Sequence, residues 1–101
     1  MEIGEFQTRI EKTYFERDSA RGMGGTFMWF IEEVGELATA LHENDREALR
    51  GEFADVFAWL CTLASLAGVR MEDAAGKYAA GCPACGAMPC HCPTKNNKSH
   101  D

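Results

Sequence analysis

Two stretches of apolar residues that recur with helical period, joined by the turn signal Asn44-Asp45, constrain this chain most. Phe27, Phe30, Ile31, Val34, Leu37 and Leu41 form one stripe; Phe53, Val56, Phe57, Leu60, Leu63 and Ala64 form the other. That spacing builds amphipathic helices, and no useful strand alternation or internal repeat competes with it. Four helices are predicted. The first runs from about Ile3 to Arg17 and ends at the glycine-rich stretch Arg21-Gly22-Met23-Gly24-Gly25. The second starts at Thr26 as N-cap and ends near Glu43. The third runs from about Arg46 to Ala67, with Gly68 as its stop; the fourth, about Met71 to Ala80, ends before Gly81 and Pro83. The prediction is an all-α, four-helix bundle over residues 1–80, then a cysteine-rich tail over 81–101 with a disordered end. The glycine-rich stretch lacks Walker-loop spacing and reads as a flexible connection.

The acids of the central helices fall in two pairs. Glu33 and Glu36 are three apart, as are Glu52 and Asp55, and residues three apart share a helix face. Each pair flanks the apolar stripe of its own helix. If the helices are antiparallel about a tight turn at Asn44-Asp45, residue numbers summing to about 88 lie level. Glu36 then faces Glu52, Glu33 faces Asp55, and Trp29 lies level with Trp59.

Four carboxylates at a core margin repel one another, and a divalent cation resolves the conflict. All-oxygen ligation favours Mg²⁺, with Mn²⁺ as substitute. A metal-bound water can act as nucleophile. The competing reading is a solvated acidic face. A di-iron carboxylate bundle fits poorly, because Thr39 and Ala58 stand where its histidines belong.

Composition narrows the substrates. The formal net charge of −6 disfavours polymeric nucleic acid as partner, but not a small phosphate ester bridged by metal. No stretch approaches the roughly 18 apolar residues of a membrane span. Met1 to Phe6 has no basic run of a signal peptide, so a reducing, cytoplasmic setting is expected.

The text Trp29-Phe30-Ile31-Glu32-Glu33-Val34-Gly35-Glu36-Leu37-Ala38, followed by Glu52-Phe53-Ala54-Asp55-Val56 and by Lys77-Tyr78, resembles the MazG-like all-α nucleoside triphosphate pyrophosphohydrolases over about residues 5–80. The resemblance implies Mg²⁺ binding by Glu33, Glu36, Glu52 and Asp55. It also implies hydrolysis of NTP or dNTP between the α and β phosphates, giving the monophosphate and pyrophosphate. Glu32 is then the candidate to orient or deprotonate the attacking water, its other reading being surface charge. Lys77 is a candidate phosphate contact, Arg50 a weaker one, and Trp29 and Trp59 either stack a base or pack the core. Related enzymes are oligomeric, and about 80 helical residues bury little core alone, so a homodimer or higher homo-oligomer is expected.

Cys82, Cys85, Cys90 and Cys92 form a Cys-x2-Cys-x4-Cys-x-Cys pattern suited to structural Zn²⁺. His91 could replace one thiolate, and disulfides or a disordered thiol-rich tail are the other readings. Cys61 lies among Trp59, Leu60 and Leu63 and reads as a buried small hydrophobe. The tail raises an alternative function: a non-enzymatic, zinc-tailed interaction module on a helical bundle.

Overall fold

The computed structural model describes residues 1–93; the disordered end read for 94–101 lies outside them. The described residues contain no strand. They form three α-helices: α1 over Ile3–Glu43, α2 over Arg46–Leu66 and α3 over Met71–Ala75, with a 3₁₀ turn at Gly76–Tyr78. The chain divides into two compact units, Met1–Met71 and the residues from Glu72 onward.

The helix count corrects the four read from sequence. The two helices expected over 3–17 and 26–43 are one helical run of 41 residues, interrupted only at Gly22 with φ 83° and ψ 172°. Glycine alone adopts that backbone without a Cβ penalty, so one residue absorbs the whole break. The chain is helical again before Thr26, which is therefore not an N-cap. Thr26 is buried inside the helix, and its hydroxyl accepts from Arg21 Nη1 at 3.3 Å. The last helix is shorter than expected because it tightens into the 3₁₀ turn after Ala75.

The turn at Asn44-Asp45 forms as its residue types dictate. Asn44 takes the left-handed conformation at φ 56° and closes α1 through its N–H to Ala40 O. Asparagine tolerates this conformation because its short amide side chain bonds locally. Asp45 caps α2, its carboxylate accepting from the N–H groups of Glu47 and Ala48 at 3.1 and 3.3 Å. Such a cap contributes about 1 kcal/mol. At the far end Gly68, at φ 76°, turns the chain out of α2.

A polar clamp ties the start of α1 to the end of α2. Gln7 is fully buried. Its Nε2 donates to Ser65 Oγ at 3.0 Å and to Val69 O at 2.9 Å, while its Oε1 accepts from Met71 N–H at 2.7 Å. The Arg70 guanidinium donates to Glu11, to Gly4 O and to Thr8 Oγ1. Beside the clamp, Phe6 and Phe57 stack at 4.7 Å. Cys61 is buried as expected, and burial pushes its thiol above the ordinary range.

Little apolar surface is sealed in the first unit. Ala40, Leu49 and Cys61 are its buried hydrophobic residues, whereas Phe27, Ile31, Val34, Leu41, Phe53 and Leu60 are exposed. No single helix among the described residues is long and apolar enough to cross a membrane.

Candidate active site

Past Gly22, α1 runs antiparallel to α2 because the two-residue turn reverses the chain directly. The register is the one expected for a turn at Asn44-Asp45. Trp29 and Trp59 lie with ring centroids 6.3 Å apart and planes 15° from parallel. One turn further toward the hairpin end, carboxylate oxygens of Glu33, Glu36 and Glu52 lie within 4.8 Å of one another.

These acids are only partly solvated. Glu33 and Glu52 are half-buried, and Glu36 is exposed. One oxygen of each half-buried acid, Glu33 Oε2 and Glu52 Oε1, is buried with no hydrogen-bond partner. Burial raises the Glu33 carboxyl above its ordinary range, and the charges of Glu36, Asp55 and Glu52 raise it further. A buried carboxylate oxygen left without a donor is costly, and three acids at this spacing multiply the cost. A hard divalent cation fits both facts, since it accepts oxygen ligands and supplies the missing positive charge.

Asp55 stands slightly apart. It is not one of the three mutually close acids, yet its charge reaches Glu33. It also lines a cavity of about 310 Å³ together with Trp59 and residues from the first half of α1. Asp55 thus connects the acid cluster to this cavity.

The cavity wall includes four residues that sequence reading did not select for the site: Tyr14, Arg17, Asp18 and Arg21. Asp18 is buried and accepts from Arg21 Nη1 at 3.0 Å and from Thr62 Oγ1 at 3.2 Å. So held, the Arg21 guanidinium lies 4.9 Å over the Trp59 ring. Arg17 has no ion-pair partner among the described residues. The signal was present: positions 14, 17, 18 and 21 recur at helical spacing and continue the stripe of Phe6 and Ile10. Charged residues on the extension of an apolar stripe mark a polar cavity beside a core.

The remaining candidates have other surroundings. Glu32 is exposed and outside the three-acid cluster. Trp29 does not line the cavity; it stacks on Trp59, which does. Arg50 pairs with Glu47 at 3.0 Å on the exposed first turn of α2. Lys77 belongs to the second unit, where its Nζ lies 5.7 Å over the Tyr78 ring.

The second unit holds a separate constellation. Sγ atoms of Cys82, Cys85, Cys90 and Cys92 lie within 4.8 Å of one another, and all four are unbridged. Their thiols are driven apart in acidity. Backbone N–H groups, first that of His91, lower Cys85 to about 6, and those of Cys85 and Ala84 lower Cys82. The neighbouring sulfurs of Cys90, Cys82 and Cys85 raise Cys92 to about 12.

Comparison with known families found a match over the span that carries the helical hairpin. The family model of the MazG nucleotide pyrophosphohydrolase domain matches residues 24–82, more than half of the 101-residue chain. No curated protein matches the chain. The matched span contains both acid pairs, both tryptophans and the hairpin that sets them level, and this chain belongs to the MazG nucleotide pyrophosphohydrolase domain family.

Proposed function

We propose that the chain hydrolyses a nucleoside triphosphate, NTP or dNTP, to the monophosphate and pyrophosphate in a Mg²⁺-dependent reaction. The observation that carries this reading is the trio Glu33, Glu36 and Glu52, with two buried, unpartnered oxygens, adjoining a cavity that Asp55 and two arginines line.

Glu33, Glu36 and Glu52 would hold the cation, with Asp55 beside them adding charge; Mn²⁺ is the natural substitute. When bound, the ion supplies charge neutralisation for the phosphates and acidifies a coordinated water. The chain's own residues do the rest. Arg17, a cation without an ion-pair partner on the cavity wall, takes phosphate charge. Trp59 and Tyr14 offer flat surfaces for the base, and Asp18 holds Arg21 against Trp59 so that this wall stays in place. Glu32 orients the attacking water and accepts its proton. The water oxygen bonds to the α phosphorus, the bond from that phosphorus to the bridging oxygen breaks, and pyrophosphate leaves.

Exposed Phe27, Ile31, Val34, Leu41, Phe53 and Leu60 support a homodimer or higher homo-oligomer, because a second copy would seal what one chain leaves in water. The acidic balance of −6 supports a mononucleotide rather than polymeric nucleic acid as ligand.

The test is a panel of NTPs and dNTPs with Mg²⁺, with pyrophosphate and orthophosphate detected separately. Pyrophosphate and monophosphate in equal amounts are expected for at least one nucleotide. Orthophosphate as sole product overturns the proposal. So does no turnover of any nucleotide, which would leave the non-enzymatic, zinc-tailed interaction module as the reading of the chain.

A further inference from the structure

The second unit has almost nothing apolar to fold around. Among residues 72–93 only Cys82 is buried, and Tyr78 and Met88 are 44% and 77% exposed. A segment this short with no core needs another source of order. The turn itself is closely specified. Cys82 N–H donates to Ala87 O at 2.9 Å, and Gly86 N–H donates to Cys82 O. Gly81 and Gly86 both take positive φ, at 110° and 75°. A Cβ at Gly81 would lie 2.8 Å from Ala87 O, so the chain closes there only around glycine.

That closure brings the four sulfurs together at a telling spacing. Cys82 and Cys92 sulfurs are 3.6 Å apart, and those of Cys85 and Cys90 are 4.0 Å apart. A disulfide would put sulfurs at about 2.05 Å. A Zn²⁺ ion with Zn–S bonds of about 2.3 Å at the centre of a tetrahedron puts them at about 3.8 Å. The backbone supports such a charge: His91 N–H donates to Cys85 Sγ at 3.3 Å, and Cys92 N–H to Cys90 Sγ at 3.2 Å. Amide donors to sulfur offset thiolate charge around a bound metal.

We propose that Cys82, Cys85, Cys90 and Cys92 bind one Zn²⁺ as a closed four-thiolate site, and that this ion supplies the order of residues 81–93. Four protein ligands fill a tetrahedral shell, so the ion is structural and offers no position to a substrate. Soft sulfur selects Zn²⁺ where the oxygen cluster of the first unit selects Mg²⁺. Ligand type thereby separates two ions on one short chain. Metal binding and folding are one equilibrium here, because the unfolded segment presents no preformed site.

The full-length chain, prepared under reducing conditions, tests this. Elemental analysis is expected to find one zinc per chain. After stripping, titration with Co²⁺ should saturate at one equivalent with the thiolate charge-transfer and tetrahedral d–d absorption bands. Zn²⁺ should abolish the bands and Mg²⁺ should not. Hydrogen exchange should show Cys82 and Gly86 amides protected only when zinc is bound, with α1 and α2 unchanged. The double variant Cys85→Ser, Cys90→Ser should lose the bands, and His91→Ala should keep them. Absence of the bands in the unaltered chain, or two disulfides in the reduced preparation, overturns the site. Loss of the bands in His91→Ala overturns the all-sulfur ligand set. Equal amide protection with and without metal overturns the coupling to folding.

Discussion

The acid cluster and the cysteine turn differ in what holds their ligands. Glu33, Glu36 and Glu52 stand on two long helices whose register a capped turn sets and whose ends a buried glutamine ties together. The cysteines stand on a glycine turn in which Cys82 alone is buried among the described residues 72–93. A scaffold that exists without its ion can hold acids at a repulsive spacing, with two oxygens unpartnered. A turn without a core cannot bear such strain, and on the zinc proposal ligand and fold arrive together. The first arrangement suits a site that must exchange substrate and product. The second suits one that never opens.

The sharpest way to break this contrast is to remove ligands of the acid cluster. Glu36→Ala and Glu52→Gln should each lower kcat/KM by at least about 100-fold, while circular dichroism keeps the helical signal. Collapse of helicity in both variants would mean that the acids hold the fold rather than serve it. Next in size is the clamp. Gln7→Ala leaves the Met71 N–H and the Val69 carbonyl without their partner. It should cost about 2–3 kcal/mol in urea unfolding and, on the zinc proposal, leave zinc content unchanged.

A smaller effect tests the cavity wall. Arg17→Ala should raise KM for the triphosphate about tenfold, the worth of one charge-assisted contact, with kcat little changed. An unaltered KM would remove Arg17 from the phosphate role. Gly22→Ala tests the break in α1 instead. Nothing lies within 4 Å of the added Cβ, so only backbone strain at φ 83° and ψ 172° counts, about 1–3 kcal/mol in urea unfolding.

The smallest effect is a pH dependence. Burial and the neighbouring acids raise the folded-state Glu33 carboxyl above its ordinary value. The folded chain therefore binds this proton more tightly than the unfolded chain does. Its contribution favours the fold below the ordinary carboxylate range and is lost as pH rises through the raised value. In chelator, thermal midpoints across that window should fall more steeply in the unaltered chain than in Glu33→Gln. Mg²⁺ should flatten the difference. Identical slopes would show that Glu33 is not strained.

Much of the site was legible because it is local. Helical period, the three-residue spacing of the acids and a two-residue turn suffice to place Glu33, Glu36 and Glu52 together and Trp29 against Trp59. The Asn44 and Asp45 side chains carry the turn in their own chemistry. Other features were hidden. Glycine density at 21–25 indicated a break, but not that Gly22 alone would absorb it. Nothing in the local sequence marks Gln7 and Arg70 for the clamp, because their partners stand about 60 positions away. The expected level pairing of Glu33 with Asp55 held only in part, since real helices cross rather than run as parallel rods.

The amino-acid order alone thus settled which residues share a helix face, where the hairpin turns and which side chains carry oxygen or sulfur toward a cation. Those depend on contacts a few residues long and on turn chemistry. The packing of α1 on α2 settled the rest: the cavity, its arginine wall, the buried carboxylate oxygens and the clamp. The clamp and the Asp18–Thr62 contact join residues 44 to 66 positions apart. Which of them meet depends on the angle and distance at which two helices pack, a property that no single helix possesses.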